Sequence, residues 1–158
     1  MKKKWILTIV TLALMATPIF SSASPSAAQT GGGIQWMSYD EGRERGEAEN
    51  KKVFLVFNAD WCRYCLQMEK ETFQNPTVIA YVNRNFVPIR VNSDRDEKIA
   101  AEYSVRGLPS TWFISETGDR IGNRPGYIPT EEMLSILKYI GSDSYRTMSF
   151  KAFVEKGK

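Results

Sequence analysis

The chain contains no histidine and only two cysteines among its 158 residues. The first absence removes the side chain most used as a general base and metal ligand at neutral pH. The second excludes the multi-bridge framework that staples many small secreted domains. A structural zinc site needs about four nitrogen or sulfur ligands, which two cysteines without histidine cannot supply. Covalent haem attachment requires a histidine directly after the second cysteine of a C-x-x-C pair, and here that residue is Leu66. There is no internal repeat and no phosphate-cradling glycine motif. Long apolar runs are scarce too. The run over 5–16 is broken only by Thr8 and Thr11, and it falls short of the ~20 apolar residues of a spanning helix.

That run has a different context. Lys2, Lys3 and Lys4 precede it, and Pro18 and a small, polar stretch over 21–28 follow. This is the layout of a secretory signal peptide, with cleavage expected after Ala28 (or, less far along, after Ala23). No cysteine lies near the cleavage region, so a lipoprotein anchor is not expected. Without the three lysines, the chain's 21 basic residues fall to 18 against 18 acidic ones. The basicity therefore belongs to the signal, and nothing in the remainder suggests a nucleic-acid footprint. Residues 29–33 read as a flexible leader. About 130 residues remain, enough for a single domain with one core.

Hydrophobic patterning places the elements. Residues 34–37 read as a short strand, followed by a charged helix to Asn50 that Gly42 and Gly46 weaken. The run 53–57 is continuously apolar, as in a strand buried on both faces. A helix is expected from Cys62 to about Thr72, packing through Leu66, Met68 and Phe73, then a break at Asn75-Pro76 and a short helix over 77–83. A strand over 86–91, a helix over 94–103, a strand over 111–114, a turn over 116–119 and a strand near Arg120-Ile121 follow. Thr130 is expected to cap a last helix ending at Ile140 and Gly141, with Met133, Leu134, Leu137 and Ile140 as its apolar stripe. These alternating elements make the fold class α/β, a central sheet flanked by helices. Residues 142–158 form an extension expected to pack on the domain through Phe150, Phe153 and Val154.

The two cysteines are separated by two residues. As a staple this is the least useful spacing, because a four-residue loop contributes roughly 2 kcal/mol against about 4.7 for a 100-residue loop. Redox exchange explains it better. Cys62 follows a buried strand and opens a helix, so its sulfur meets unpaired N–H groups and the positive end of the dipole. Arg63 adds positive charge, and both effects favour the thiolate that attacks disulfides. Cys65 lies one turn on, shielded further into the helix and close enough to resolve a mixed disulfide.

The stretch Ala59-Asp60-Trp61-Cys62-Arg63-Tyr64-Cys65 resembles the active-site turn of the thioredoxin superfamily. Arg106-Gly107-Leu108-Pro109-Ser110-Thr111 resembles its cis-proline loop, and Gly118 and Gly126 fall where its final hairpin has glycines. The likeness spans 36–140 and is nearest to periplasmic thioredoxin-like proteins and the C-terminal domain of the membrane thiol–disulfide interchange protein. It implies a thioredoxin fold with a mixed sheet in a single domain over 34–141. It implies Cys62 as nucleophile, Cys65 as resolving thiol, Trp61 shaping the adjoining surface, a cis Pro109, and Leu108 pairing its backbone with a client strand.

The sequence departs from many thioredoxins at two places. A buried Asp six residues before the first motif cysteine is here Val56, with Glu69, four residues after Cys65, as the candidate replacement. Arg63-Tyr64 stands where ordinary thioredoxins have Gly-Pro, so the redox potential does not transfer. The expected activity is reduction of exported protein disulfides in the periplasm or another exported compartment. It needs no cofactor beyond the Cys62–Cys65 disulfide and is recharged by a membrane thiol–disulfide electron donor. Two alternatives stay open: a disulfide oxidase or isomerase, and a thioredoxin-fold binding or chaperone module without redox turnover.

Overall fold

The computed structural model describes residues 32–157; the expected export signal and most of the leader lie outside the described residues. The chain runs α1 (Tyr39–Ala48), β1 (Val53–Asn58), α2 (Arg63–Glu71), α3 (Pro76–Asn85), β2 (Val87–Asn92), α4 (Glu97–Glu102), β3 (Ser110–Ile114), β4 (Arg120–Pro125) and α5 (Thr130–Gly141). A 3-10 turn (Ser144–Arg146) and α6 (Phe150–Lys156) complete it.

The strands form one sheet in the order β2-β1-β3-β4. β1 pairs in parallel with β2, from Val53↔Val87 to Asn58↔Asn92, and antiparallel with β3. β3 pairs antiparallel with β4. A central strand covered on both faces must be apolar throughout, which is what the run Val53 to Phe57 supplies. Alternation sends Phe54 and Val56 to one face, with Met68, Phe73, Phe113, Met133 and Leu137. Val53, Leu55 and Phe57 face the other, with Ile89, Tyr103 and Ile114.

Several local expectations change for identifiable reasons. Residues 34–37 form no strand. Met37 makes one parallel bridge to Ile89, donating to the Pro88 carbonyl (3.0 Å) and accepting from the Arg90 amide (3.1 Å). The next outward-facing donor upstream on β2 belongs to Pro88, which has no N–H, so the ladder stops. The two glycines do not weaken α1 but seat it. A Cβ at Gly42 would lie 2.3 Å from Ile89 Cγ1, and one at Gly46 would lie 2.9 Å from Val53 Cγ2. Close approach to β2 and β1 outweighs the intrinsic helix cost of about 1 kcal/mol per glycine.

α3 is longer than its apolar pattern suggests. Asn75 caps it by accepting from the amides of Thr77 and Val78, and Pro76 fills the first helical position. α4 is shorter than 94–103. The side chain of Asn92 accepts the amide of Asp94 (3.0 Å) and its carbonyl those of Arg95 and Asp96, holding these residues in a turn. Thr130 does not cap α5. Its hydroxyl donates to the carbonyl of Glu71 (2.8 Å), Pro129 is the N-cap, and Gly141 stays within the helix. Ile136 joins Met133, Leu137 and Ile140 as the fully packed residues of α5, with Leu134 half-buried.

The C-terminal segment is held by charge and by rings. Lys52, 6% exposed, donates to Glu116 in the β3–β4 turn (2.5 Å) and to Asp143 after α5 (3.2 Å). Tyr139 packs against Phe150 and Phe153, with ring centroids 5.4 Å away in both cases, and its hydroxyl donates to the Met148 carbonyl (2.6 Å). Burial alone would lower the Lys52 pKa, but the hydrogen bonds to Glu116 and Asp143 outweigh it and hold the value above normal. Burial likewise pushes Glu116 upward, yet the bond from Lys52 leaves it below its ordinary value. Arg146 is the main cause of the lowered pKa of Asp143, with Lys52 adding to it.

Carboxylates depressed on folding stabilise above their unfolded pKa, and that stability is lost as pH falls through the folded one. Acidification below the ordinary carboxylate range is therefore expected to loosen the segment after α5 first. Hydrogen exchange at residues 142–157 should rise in that window, and Lys52→Met should bring the same loosening at neutral pH with a stability cost of about 1 kcal/mol.

Candidate active site

β1 ends at Asn58, and four residues later Cys62 occupies the N-cap of α2 with extended backbone angles (φ −76°, ψ 102°). Its amide donates to the Ala59 carbonyl (3.1 Å), closing the turn that carries the chain from strand to helix. Its Sγ accepts the backbone N–H of Cys65 at 3.1 Å, taking the place that a serine or aspartate oxygen fills at other helix starts. The two cysteines are joined as a disulfide, with Cα atoms 5.2 Å apart.

Exposure does not separate the two sulfur residues as the sequence suggested. Cys62 is 4% exposed and Cys65 is 8% exposed. Electrostatics separates them. The Cys65 amide and the N-terminal end of the nine-residue α2 face the Cys62 sulfur, and donors so placed favour negative charge on a sulfur. Arg63 stands exposed between the cysteines.

Both cysteines pack with Ala59, and half-buried Leu108 covers them. The Leu108–Pro109 peptide bond is cis. Pro109 is buried, and its carbonyl accepts the amide of Gly126 at 2.8 Å, tying the loop to the residue after β4. Trp61 and Tyr64 are 71% and 60% exposed. Leu66, expected in the core, is instead 54% exposed, while Met68 and Phe73 supply the packing.

The turn before Cys62 is pinned by a cluster that sequence reasoning missed. Asp60 accepts from Arg95 (2.9 Å) and Asn92 (3.2 Å), and Trp61 Nε1 donates to Asp94 (2.8 Å). The only sequence signal was a polar run, Asn92-Ser93-Asp94-Arg95-Asp96, between a strand and a helix.

Val56 is 2% exposed and sits in the core between Arg90 of β2 and Thr111 of β3. Glu69 is not left free beside Cys65. Its carboxylate is engaged by Arg90, which also lies 4.1 Å over the ring of Trp36 and 5.9 Å over that of Phe73. Burial pulls the Arg90 pKa below its usual value, and Glu69 offsets part of that. Among the described residues, no group of three or more Cys, Asp or Glu is placed to hold a metal ion.

The comparisons with known proteins agree with this geometry. A thioredoxin-like domain family model matches residues 39–141. The chain is 26% identical over 108 residues to the disulfide bond reductase DsbH of Chlamydia pneumoniae, covering 59% of this chain and 65% of that protein. It is 35% identical over 75 residues to the thiol:disulfide interchange protein DsbD of Photorhabdus laumondii, covering 46% of this chain and 13% of that one. The thioredoxin of Thermus thermophilus superposes with a TM-score of 0.64 at 26% identity, over 69% of this chain and 88% of that one. The chain thus spans less than two thirds of the length of the DsbH relative and a small part of DsbD.

The pairing of Glu69 with a partly desolvated Arg90 has a measurable consequence. Urea denaturation of Glu69→Gln, Arg90→Met and the double variant should give a coupling of about 0.5–1 kcal/mol, with the double variant more stable than the two single losses summed. Additive losses would mean that the pair does not act as a unit.

Proposed function

The chain belongs to the thioredoxin-like family, and from that premise we propose that it is an exported thiol–disulfide oxidoreductase that reduces disulfides of exported proteins. One observation carries the reading: Cys62 Sγ is the side-chain acceptor at the start of α2, with the N–H of Cys65 aimed at it from 3.1 Å. That arrangement supports Cys62 as the nucleophile, with its partner one helical turn away.

The reaction then runs in two displacements. The Cys62 thiolate attacks one sulfur of a client disulfide, a Cys62–client disulfide forms, and the other client sulfur leaves as thiolate. Cys65, deprotonated, attacks Cys62 Sγ. The Cys62–Cys65 disulfide forms, the second client sulfur leaves, and both client sulfurs take up protons. Two electrons have passed from the dithiol to the client. Trp61, Tyr64 and Arg63 border the attacking sulfur. The backbone of Leu108, next to Pro109, is where an extended client strand would pair across from the disulfide. No cofactor beyond the cysteine pair takes part.

The likeness to DsbH, a disulfide bond reductase, and to DsbD, a thiol:disulfide interchange protein, supports the reducing direction and a membrane dithiol as electron donor. An export compartment has no soluble reductant supply comparable to the cytosol's, so the oxidised protein must be recharged from the membrane. The basic, apolar and small-residue sequence of 1–28 supports export with cleavage after Ala28. Residues 29–33 then form a leader, 34–141 the domain and 142–158 its packed extension. Among the described residues, no helix is long and apolar enough to cross a membrane.

Arg63 favours a second reading. A cation beside an already favoured thiolate stabilises the reduced form, which raises the potential toward disulfide donation. Either direction uses the same roles for the cysteines. Cys65→Ser is expected to accumulate mixed disulfides with clients, visible as dithiothreitol-sensitive bands, whereas Cys62→Ser should trap none. Equal trapping by both variants would contradict the assignment of nucleophile and resolving thiol, and client binding that persists with both cysteines replaced would favour a binding module.

A further inference from the structure

Buried side-chain polar atoms without a hydrogen-bond partner are uncommon in a folded interior, and each calls for a cause. Among the described residues they are Asn58 Oδ1, Ser93 Oγ, Thr111 Oγ1 and Trp112 Nε1. The first three belong to the last residue of β1, the residue after β2 and the second residue of β3. β3 runs antiparallel to β1, with Phe57 opposite Ser110, so all three lie at the end of the sheet from which the chain turns into Cys62.

Asn58 and Thr111 share a face as well as an end. Val56 is the partner of Thr111, and the two lie on the face of Phe54 and Phe113, where Met68 of α2 packs. Alternation puts Asn58 on that face too, one step nearer the cysteines. Cys65 precedes Met68 by one helical turn and is buried with it, so it lies one turn nearer the same end. It packs with Ala59, the residue after Asn58, and with Leu108, three residues before Thr111. Thr111 is fully buried, so its hydroxyl has no route to solvent.

Resting on the reading of Cys65 as the resolving thiol, we propose that Thr111 and Asn58 hold one buried water against the Cys65 sulfur and so prepare it for the second displacement. A buried water of this kind needs two to four polar partners, and here it has Thr111 Oγ1, Asn58 Oδ1 and Cys65 Sγ. With Cys65 as thiolate, the Thr111 hydroxyl donates to the water, and the water donates to Asn58 Oδ1 and to the sulfur. Every donor is used. With Cys65 as thiol, its own S–H is one donor too many for the same three contacts, and a donor is left buried without an acceptor. The network therefore favours loss of the Cys65 proton to solvent. The displacement itself is unchanged: the Cys65 sulfur bonds to Cys62 Sγ and the client sulfur leaves with the electron pair. Thr111 and Asn58 are positioning residues, since neither touches the reacting client.

Other charged groups surround this point. Glu69 and Arg90 pair beside Val56, and Arg124, opposite Thr111 on β4, pairs with Glu132. Asp60 is held by Arg95 and Asn92, Arg63 stands exposed on α2, and Cys62 is the other thiol. Replacing Thr111 leaves all of them in place.

The test follows reduced residues 29–158 by stopped flow with one equivalent of dithiobis(nitrobenzoate). The first thionitrobenzoate released reports attack by Cys62, and the second reports resolution by Cys65. Thr111→Val keeps the side-chain shape and removes the hydroxyl. It should move the pH profile of the second release upward by about one unit, a loss of about tenfold in rate at neutral pH. The first release and the alkaline plateau of the second should not change. Thr111→Ala should give the same shift, and Thr111→Ser should restore the parent profile. An unshifted profile in the Val and Ala variants, a lowered plateau without a shift, or a Ser variant that behaves like Val would overturn the inference and leave the cysteine roles standing. Absence of a second release from the parent protein would overturn the role of Cys65 itself.

Discussion

A backbone N–H aimed at a sulfur organises this molecule's chemistry. The Cys65 amide lies 3.1 Å from Cys62 Sγ because Cys62 is the N-cap of α2. That position exists because β1 delivers the chain to one end of the sheet and a tight turn closed by Ala59 reverses it into a helix. A helix start leaves several N–H groups without internal partners. When the partner offered is sulfur, the same backbone geometry that begins the helix also favours the thiolate. Fold and reactivity share one cause.

The surrounding structure keeps that turn in place from three directions. The turn after β2 holds Asp60 and Trp61 through Arg95, Asn92 and Asp94. The Leu108 loop closes over both cysteines and is tied to Gly126. The far end of α2 is anchored where Thr72 donates to the Ile128 carbonyl and Thr130 to that of Glu71. Apart from the packing of Leu108 these links are polar, whereas the face beneath them is an apolar core centred on Phe54, Val56 and Phe113. Arg90 bridges the two regimes, with its guanidinium over Trp36 and its charge answered by Glu69.

Much of this was legible in the sequence, for physical reasons. The apolar run of β1 admits no partly solvated placement, so it had to be central. The Cys62–Cys65 spacing was a poor staple and a good dithiol. The likeness around Pro109 pointed to the loop whose Leu108 packs on the two cysteines. What stayed hidden depends on contacts between distant segments. Gly42 and Gly46 looked like weak points of the helix because the approach to Ile89 and Val53 is tertiary. The loss of a strand at 34–37 turned on which edge of β2 Pro88 faces. Glu69 was correctly placed one turn after Cys65, but its partner Arg90 lies 21 residues away on another element. Leu66 looked like core because type was legible and orientation was not.

The central claim is that Cys62 and Cys65 form a reducing dithiol, and their reduction potential tests it most directly. Residues 29–158 would be equilibrated against dithiothreitol redox buffers and the fraction oxidised read from trapped thiols. The account predicts a value toward about −270 mV, as in thioredoxin, rather than toward about −120 mV, as in strongly oxidising relatives, a separation of roughly 7 kcal/mol. A value near the oxidising end would contradict it, and would show that Arg63 and the start of α2 stabilise the Cys62 thiolate enough to reverse the direction of exchange.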